Sequence, residues 1–97
     1  MYQPKFYKSA NKELIAKEIE KDGFDPVCIT DPPGRVYPPH RHPETKLLAF
    51  LEGSMEVKVG NNSQECRPGD KYIIPGNVEH SAIVGSDGCV FFWSEKI

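Results

Sequence analysis

From Asp25 onward the chain is a series of short apolar segments separated by turn residues, and this pattern restricts the fold more than any other feature. Residues 55–59 alternate apolar with charged side chains, as a strand with one buried face does. Prolines and a glycine at 31–34, and a glycine with two asparagines at 60–62, mark turns. Short strands at this spacing predict an all-β fold, an antiparallel β-barrel or jelly roll over residues 25–95. The other predicted strands are 27–30, 46–51, 72–74, 81–84 and 89–93.

The N-terminal part carries one helical pattern, predicted over residues 9–23. Ser9 or Asn11 can cap this helix, because either side chain can accept a hydrogen bond from a backbone N–H of the first turn. Leu14, Ile15 and Ile19 fall on one stripe, and the glycine that closes the segment favours the left-handed conformation in which many helices end. With 97 residues, the chain is predicted to be one small domain, residues 1–97, with a short helix before the strands.

Two predicted strands, 47–51 and 89–93, are apolar on both faces. A sheet with one wet face alternates apolar and polar side chains, so something has to cover the outer sides of these strands. The N-terminal helix is expected to cover one of them. A second copy of the chain is expected to cover the other, because two-fold dimers are the commonest protein assemblies. The sequence therefore predicts a homodimer.

The chain has three histidines: His40 and His42, separated by one residue, and His80 far along the chain. In an extended strand alternate side chains leave from the same face, so the pair directs two imidazoles toward one point from Cα atoms about 7 Å apart. Neutral imidazole is a common metal ligand, and a third one from a distant strand completes one side of a coordination sphere. The spacing alone fits solvated or hydrogen-bonded histidines equally well, so the neighbouring residues decide between the two interpretations.

The residues around the histidines resemble the two signature motifs of the cupin superfamily. The first motif is a glycine, five residues, H-x-H, a glutamate and a later glycine, and its two glycines are matched by Gly34 and Gly53. The second motif, G-x5-P-x-G-x2-H, is matched by Gly69, Pro75 and His80.

This resemblance implies a small single-domain cupin with a three-histidine metal site. The implied cofactor is one divalent metal ion, either zinc, iron, nickel or manganese, because all of these accept histidine. The implied ligands are His40, His42 and His80.

The chain departs from the motifs at several positions. Lys46 stands where the family usually has its glutamate ligand. Glu44 has the same strand parity and is the candidate fourth ligand, provided that the loop after Pro43 has moved inward. Asn77 replaces the second glycine of the second motif, a mild change, because asparagine also tolerates left-handed backbone angles. Val84 stands where an asparagine is often found.

Three placements are open for Lys46, since an ammonium group close to a divalent cation is repelled. It turns away and pairs with Glu44 or Glu52, it is held neutral by burial, or it stands back from the ion and binds a substrate carboxylate. Strand parity directs Lys46 and Phe50 toward the interior, and Met55 is expected beside them as a further pocket residue.

Composition excludes several classes of function. A net charge of −2 with scattered lysines provides no basic surface for nucleic acid or for an anionic membrane. No apolar run approaches the length of a membrane span, the N-terminus does not resemble a signal peptide, and the expected location is cytoplasmic. Three widely spaced cysteines argue against a disulfide framework and are expected to be buried apolar residues.

Three classes of function remain from these features. The first is a metalloenzyme that acts on a small molecule as a dioxygenase, an isomerase or a lyase. The second is a non-catalytic cupin that binds a metal or a small ligand, as sensor domains do, with the missing glutamate marking lost catalysis. The third is a protein that has the fold but binds no metal, and the presence of all three histidines argues against it.

Overall fold

The computed structural model describes residues 1–96, which form one helix and a seven-stranded sheet. Every strand pairing among these residues is antiparallel. The prediction of an all-β fold with one short N-terminal helix is therefore confirmed. The elements are β1 (Tyr2–Gln3), α1 (Lys12–Lys21), β2 (Phe24–Asp31), β3 (Val36–His40), β4 (Lys46–Val59), β5 (Asn62–Cys66), β6 (Lys71–Ile74) and β7 (His80–Lys96).

The strands form two layers that share β4 and β7. The first layer has the order β1, β6, β4, β7, β2 and uses the N-terminal half of β4 with the C-terminal half of β7. The second layer uses the other halves of these two strands and adds β5 on one side and β3 on the other. The sheet does not close into a barrel, and the architecture is a jelly-roll sandwich.

Both shared strands bend at glycines where they pass between the layers. The register of β4 against β7 shifts on either side of Gly53, whose φ is +73°. A Cβ atom added to Gly53 would collide with the backbone carbonyl of Gly88. Only glycine allows both this left-handed backbone and this close approach. The bend folds the two layers over each other and creates the interior in which the candidate site lies.

The interior between the layers is filled by an apolar cluster. It takes the even-numbered residues from the start of β4 and odd-numbered residues from the end of β7, as the two-residue period of a strand requires. Its buried members are Leu48, Phe50, Met55, Val57, Cys66, Tyr72, Ile74, Val84, Cys89 and Phe91.

A second apolar cluster lies on the outer face of the first layer, under α1. Ile15 and Ile19 of the helix are almost fully buried there. They pack against apolar residues on the outer faces of β4 and β7. The helix and the segment before it therefore cover both of the strands that are apolar on both faces. The prediction that the helix covers one of them was too narrow, and these outer faces need no second subunit. The strand residues covered are Leu47, Ala49, Leu51 and Phe92.

The helix begins and ends within the predicted segment. Asn11, one of the two predicted caps, accepts a hydrogen bond from the backbone N–H of Leu14. Gly23 follows the helix with a φ of +86°. Leu14 itself is exposed, which leaves the buried stripe to the two isoleucines. Within residues 1–96, no helix is long and apolar enough to cross a membrane.

Candidate metal centre

The three histidines meet beside the interior cluster. Their ring centroids are 4.3 Å apart for His40 and His80, 4.7 Å for His42 and His80, and 5.6 Å for His40 and His42. One nitrogen of each ring lies within 4.8 Å of the other two. Two nitrogens bound to one zinc ion are separated by at most about twice the metal–nitrogen distance of roughly 2.1 Å. Small ring movements would therefore bring all three to one ion, and the predicted convergence of the histidines is confirmed.

The hydrogen bonds of the three rings leave the same nitrogen free in each. Nδ1 contacts a backbone carbonyl two residues away in every case: Pro38 at 2.8 Å from His40, Glu44 at 3.0 Å from His42, and Val78 at 3.0 Å from His80. A carbonyl oxygen only accepts, so each Nδ1 donates and the lone pair remains on Nε2. This arrangement matches metal-binding histidines, whose second nitrogen commonly donates to a carbonyl or a carboxylate.

Two of these Nε2 atoms are buried without a partner. Within residues 1–96, the Nε2 atoms of His42 and His80 accept no hydrogen bond. A buried polar atom left unsatisfied costs about 1–3 kcal/mol. Burial also lowers the pKa of His80. The hydrogen bond to Val78 opposes this shift, and the neighbouring His40 and His42 lower the pKa further. His80 is thereby favoured in the neutral form, which is the form that binds metal.

The local sequence around β3 explains how the exposed His40 faces His80. Tyr37 pairs with Ala82 and His40 pairs directly with His80, with a register shift between the two pairs. In a regular strand Tyr37 and His40 would point to opposite faces, because their separation is odd. Pro38 and Pro39 lie between them and cannot donate to the sheet, which accounts for the irregularity at this edge strand.

His42 lies beyond the end of β3, in a loop, rather than within the strand that the H-x-H spacing predicted. The loop is held by the second motif: Asn77 donates from its backbone N–H to the carbonyl of His42 at 2.7 Å. Asn77 has a φ of +63°, so the asparagine takes the left-handed conformation that its place in the motif predicted. Gly76 lies so close to Pro43 that a Cβ atom there would collide with the proline carbonyl. The two motifs thus fix His42 against His80.

Lys46 points inward and is paired, but with neither predicted partner. Its side chain is 4% exposed and forms an ion pair with Glu95, which lies directly opposite on β7. Its Nζ atom also lies 5.4 Å from the centroid of the Trp93 ring, a cation–π contact. The hydrogen bond from Lys46 is the main reason why the pKa of Glu95 is lowered. The expected pairing of Lys46 with Glu44 or Glu52 is therefore wrong.

Glu44 contributes its backbone to the site and keeps its side chain exposed. Its carbonyl orients His42, while its carboxylate is not among the ligand atoms that converge within residues 1–96. Glu44 as a fourth metal ligand stays a prediction.

The interior beside the histidines is almost full. A cavity of about 20 Å³ remains there, bordered by His40, His80 and Met55, which is room for about one water molecule. Phe50 lies deeper in the same cluster and packs against Phe91, with 5.9 Å between ring centroids. Any ligand larger than water must approach the histidines from outside this cavity.

An open groove of about 310 Å³ provides that approach. It shares Tyr37, His40 and Trp93 with the interior cavity, and Ile29 and Arg35 complete its wall. Volumes of roughly 300–1,000 Å³ are typical of small-molecule sites.

Sequence reasoning missed two acidic residues near the site. Glu95 follows an apolar strand at the C-terminal end, and its pairing with Lys46 depends on the register of β4 against β7, for which the sequence contains no signal. The sequence predicts only a turn at Asp31, yet its side chain is fully buried and accepts hydrogen bonds from Arg35 and Tyr37.

The jelly-roll fold and the three convergent imidazoles define a small β-sandwich protein with a candidate mononuclear metal centre. A family model for the cupin domain matches residues 27–94 of the chain. This match covers well over half of the sequence, and the chain belongs to the cupin family.

Similarity to individual proteins is more limited. The chain is 37% identical over 59 residues to dimethylsulfoniopropionate lyase DddW of Ruegeria pomeroyi, a match that covers 61% of this chain and 39% of that protein. The chain therefore spans well under half the length of this curated relative.

Solved structures show the same fold. KdgF from Halomonas sp. superimposes with a TM-score of 0.68 at 23% identity, covering 77% of this chain and 70% of that one. An RmlC-like cupin from Shewanella frigidimarina has a TM-score of 0.69 at 22% identity and covers 76% and 66%. Oxalate decarboxylase from Bacillus subtilis has a TM-score of 0.69 at 20% identity and covers 76% and 21%. The predicted cupin fold is confirmed.

Proposed function

We propose that this protein binds one divalent metal ion through His40, His42 and His80 and acts on a small molecule at that ion. The observation that carries the proposal is the convergence of three Nε2 lone pairs, two of them buried and unpartnered among residues 1–96. A metal ion would satisfy these nitrogens together, and each Nδ1 hydrogen bond already holds its ring in the required tautomer.

The residues around the histidines have different roles in the proposed site. Three neutral imidazoles would leave the charge of the ion uncompensated, and Lys46 would add to it. Glu95, which pairs with Lys46 and lies close enough for His42 to lower its pKa, supplies a compensating carboxylate. The apolar wall formed by Met55 and its neighbours keeps bulk water away from one side of the ion. When bound, the metal supplies Lewis-acid polarisation of a substrate oxygen or, in the case of iron, the means to activate oxygen.

The proposed reaction is of the dioxygenase, isomerase or lyase type. The partial similarity to a protein named as a dimethylsulfoniopropionate lyase supports including lyase chemistry among the three. The alternative is a non-catalytic cupin that binds a metal or a small ligand. Lys46, at the usual position of the glutamate ligand, is the observation that favours this alternative.

Metal titration tests the first part of the proposal. Calorimetry with Zn(II), Ni(II) and Mn(II), and with Fe(II) under anaerobic conditions, should give one ion per chain for at least one metal. His42→Ala should lose more than the roughly 10- to 100-fold in affinity that the loss of an outer hydrogen-bond partner costs. Cys28→Ser is the matched control, because Cys28 is an exposed thiol outside the site, and its affinity should be unchanged. Equal affinities for wild type and His42→Ala would refute the site.

Turnover tests the second part. The Fe(II), Mn(II), Ni(II) and Zn(II) forms should be incubated with small carboxylates, diketones, sugars and dimethylsulfoniopropionate, with oxygen uptake and product formation as readouts. Turnover that disappears in His42→Ala supports the enzyme. Metal binding without turnover of any of these compounds supports the non-catalytic alternative.

A further inference from the structure

We propose that the groove beside His40 binds small organic acids with an apolar body and that Arg35 recognises their carboxylate. The inference deepens the proposed function by naming a ligand class, and it depends on that function only for what happens at the histidine end of the groove. Carboxylate recognition itself rests on Arg35 and its neighbours.

Space decides where a ligand can lie. The interior cavity holds about 20 Å³, whereas the groove holds about 310 Å³ and reaches the same His40 ring. A molecule with several non-hydrogen atoms does not fit the interior cavity, whereas the groove has room for it beside His40.

The guanidinium of Arg35 is held in place before any ligand arrives. Its Nη1 atom donates to Asp31 Oδ1 at 2.8 Å, and its Cζ atom lies 4.7 Å from the centroid of the Tyr37 ring. Tyr37 in turn donates to the other carboxylate oxygen of Asp31 at 2.6 Å. Because the Asp31 side chain is fully buried, this acid, base and ring form a fixed unit. Preorganisation of this kind lowers the entropic cost of binding.

The backbone of Arg35 is fixed as well. Its carbonyl accepts a hydrogen bond from Val84 at 2.8 Å, and the neighbouring Gly34 donates to the Val84 carbonyl at 3.1 Å. Both bonds tie the two residues before β3 to β7, the strand that also carries His80. The arginine and the histidines are thus positioned by the same strand.

Arg35 still has binding capacity toward the groove. Its side chain is 50% exposed, and only Nη1 has a hydrogen-bond partner among residues 1–96. The remaining N–H groups of the planar fork match the geometry of a carboxylate. Of the five residues that line the groove, Arg35 alone carries a permanent charge.

The rest of the groove wall selects the body of the ligand. Ile29 and Trp93 present apolar and aromatic surface, and Tyr37 contributes its ring because its hydroxyl is engaged with Asp31. A ligand that matches both the guanidinium and the apolar wall has a carboxylate at the Arg35 end and an apolar chain or ring across Trp93. Its other end then lies at His40, beside the proposed metal.

Trp93 is the only tryptophan of the chain and provides a direct readout, since its fluorescence should respond to a ligand in the groove. Three acids should be titrated beside their uncharged amides: butyrate with butyramide, benzoate with benzamide, and 3-phenylpropionate with 3-phenylpropionamide. We expect at least one acid to bind about tenfold or more tightly than its amide, as hydrogen bonds to charged groups allow. Arg35→Gln should reduce the affinity for that acid to the level of the amide.

Two variants control for other effects. Arg67→Gln removes an exposed arginine outside the groove and should bind the acid as wild type does. Arg35→Lys keeps the charge beside Asp31 but loses the planar fork, so it should fold and bind the acid with intermediate affinity. Failure of all three acids to bind, or unchanged affinity in both Arg35 variants, would overturn the inference.

The same titrations separate this inference from the proposed function. Zn(II) affinity of Arg35→Lys should equal that of wild type, because Arg35 does not touch the histidine nitrogens. Acid binding that depends on Arg35 in a protein that binds no metal would refute the metal site alone. Metal binding without Arg35-dependent acid binding would refute the groove alone.

Discussion

Lys46 gives this cupin a site with an unusual distribution of charge. The position that usually supplies a negative ligand carries an ammonium group instead, and a carboxylate from the opposite strand, Glu95, is paired with it. The pair places a positive group beside the histidines without leaving a buried charge uncompensated. We therefore expect weaker metal binding than a site with a fourth, anionic ligand would have.

Replacing Lys46 with glutamate tests this interpretation. Lys46→Glu should bind Zn(II) at least about tenfold more tightly than wild type, equivalent to about 1.4 kcal/mol, because it removes a repulsive charge and adds a carboxylate ligand. Lys46→Met is the matched control, since it removes the charge and adds no ligand. Calorimetric affinities that are equal for the two variants would contradict the placement of Lys46 at the vacant ligand position.

The three cysteines should differ sharply in reactivity. Cys28 is exposed, so the expectation that all three cysteines are buried is wrong for this residue. Cys66 and Cys89 are buried, and burial raises the pKa of each of these thiols to about 12. Since the thiolate is the reactive form, only Cys28 should react within minutes with a disulfide reagent at pH 7.5. Thiol counting should give one fast group in the native wild type, none in Cys28→Ser, and three in denaturant. A second fast thiol in the native protein would argue against the packing of the interior cluster.

At the scale of single residues, the sequence predicts the features that depend on residue type and motif position alone. The imidazoles, the lysine in place of the usual glutamate and the left-handed Asn77 follow from residue type and motif position. The partner of Lys46 does not follow, because it depends on which residue lies opposite on another strand. The pairing of Arg35 with Asp31 does not follow either, because it depends on how the turn between them folds. Glu95 is far from Lys46 in sequence and adjacent only through the register of β4 against β7.

Among the elements, β4 and β7 determine the fold because each runs through both layers. Their bends rest on the contact between Gly53 and Gly88. The sequence identified the apolar strands but placed breaks at these glycines, since a glycine within a strand pattern is also the signal for a turn or a bulge. The long, bent strands became visible only through their pairing.

A substitution at Gly53 tests the bend. Gly53→Ala should lower the free energy of unfolding by at least about 2 kcal/mol, because it combines a left-handed backbone with a collision against Gly88. Gly60→Ala is the matched control: its φ is +59°, and no atom lies within 4 Å of the added Cβ. That variant should lose only about 1 kcal/mol, the cost of the backbone conformation. Equal losses in urea denaturation would show that the close approach is not tight in solution.

On the scale of the whole molecule, α1 lies on the apolar surface that the sequence predicted a second copy of the chain would cover. Together with the segment before it, α1 covers the outer faces of both doubly apolar strands, so these faces no longer support a homodimer. A smaller apolar surface remains on the second layer, where Val36 and Ile83 lie opposite each other and are 60% and 49% exposed. The homodimer stays a prediction that now rests on this surface.

Sedimentation velocity at micromolar concentration tests the homodimer. Wild type should sediment as a dimer, and Ile83→Lys should shift it toward the monomer by placing a charge in the contact. Leu14→Lys, at an exposed apolar residue of α1, is the control and should leave the dimer intact. A wild-type protein that sediments only as a monomer would remove the prediction.

Metal should also stabilise the whole molecule, since the histidines join the end of β3 and the following loop to the start of β7. At a free Zn(II) concentration of 100 times the dissociation constant, the free energy of unfolding should rise by about 2.7 kcal/mol. Chelation should reverse the gain, and His42→Ala should show little of it. An equal rise in that variant would mean that zinc stabilises the protein from another site.

The passage of β4 and β7 through both layers also determines how the chain can be divided. A cut at Gly53 would separate the two halves of β4, and neither fragment would then contain all the strands of either layer. Each piece alone should remain unfolded, while an equimolar mixture should reassemble and bring the histidines of one fragment to the histidine of the other. The shared strands thus make this protein a natural basis for a split reporter whose reassembly is read out by metal binding.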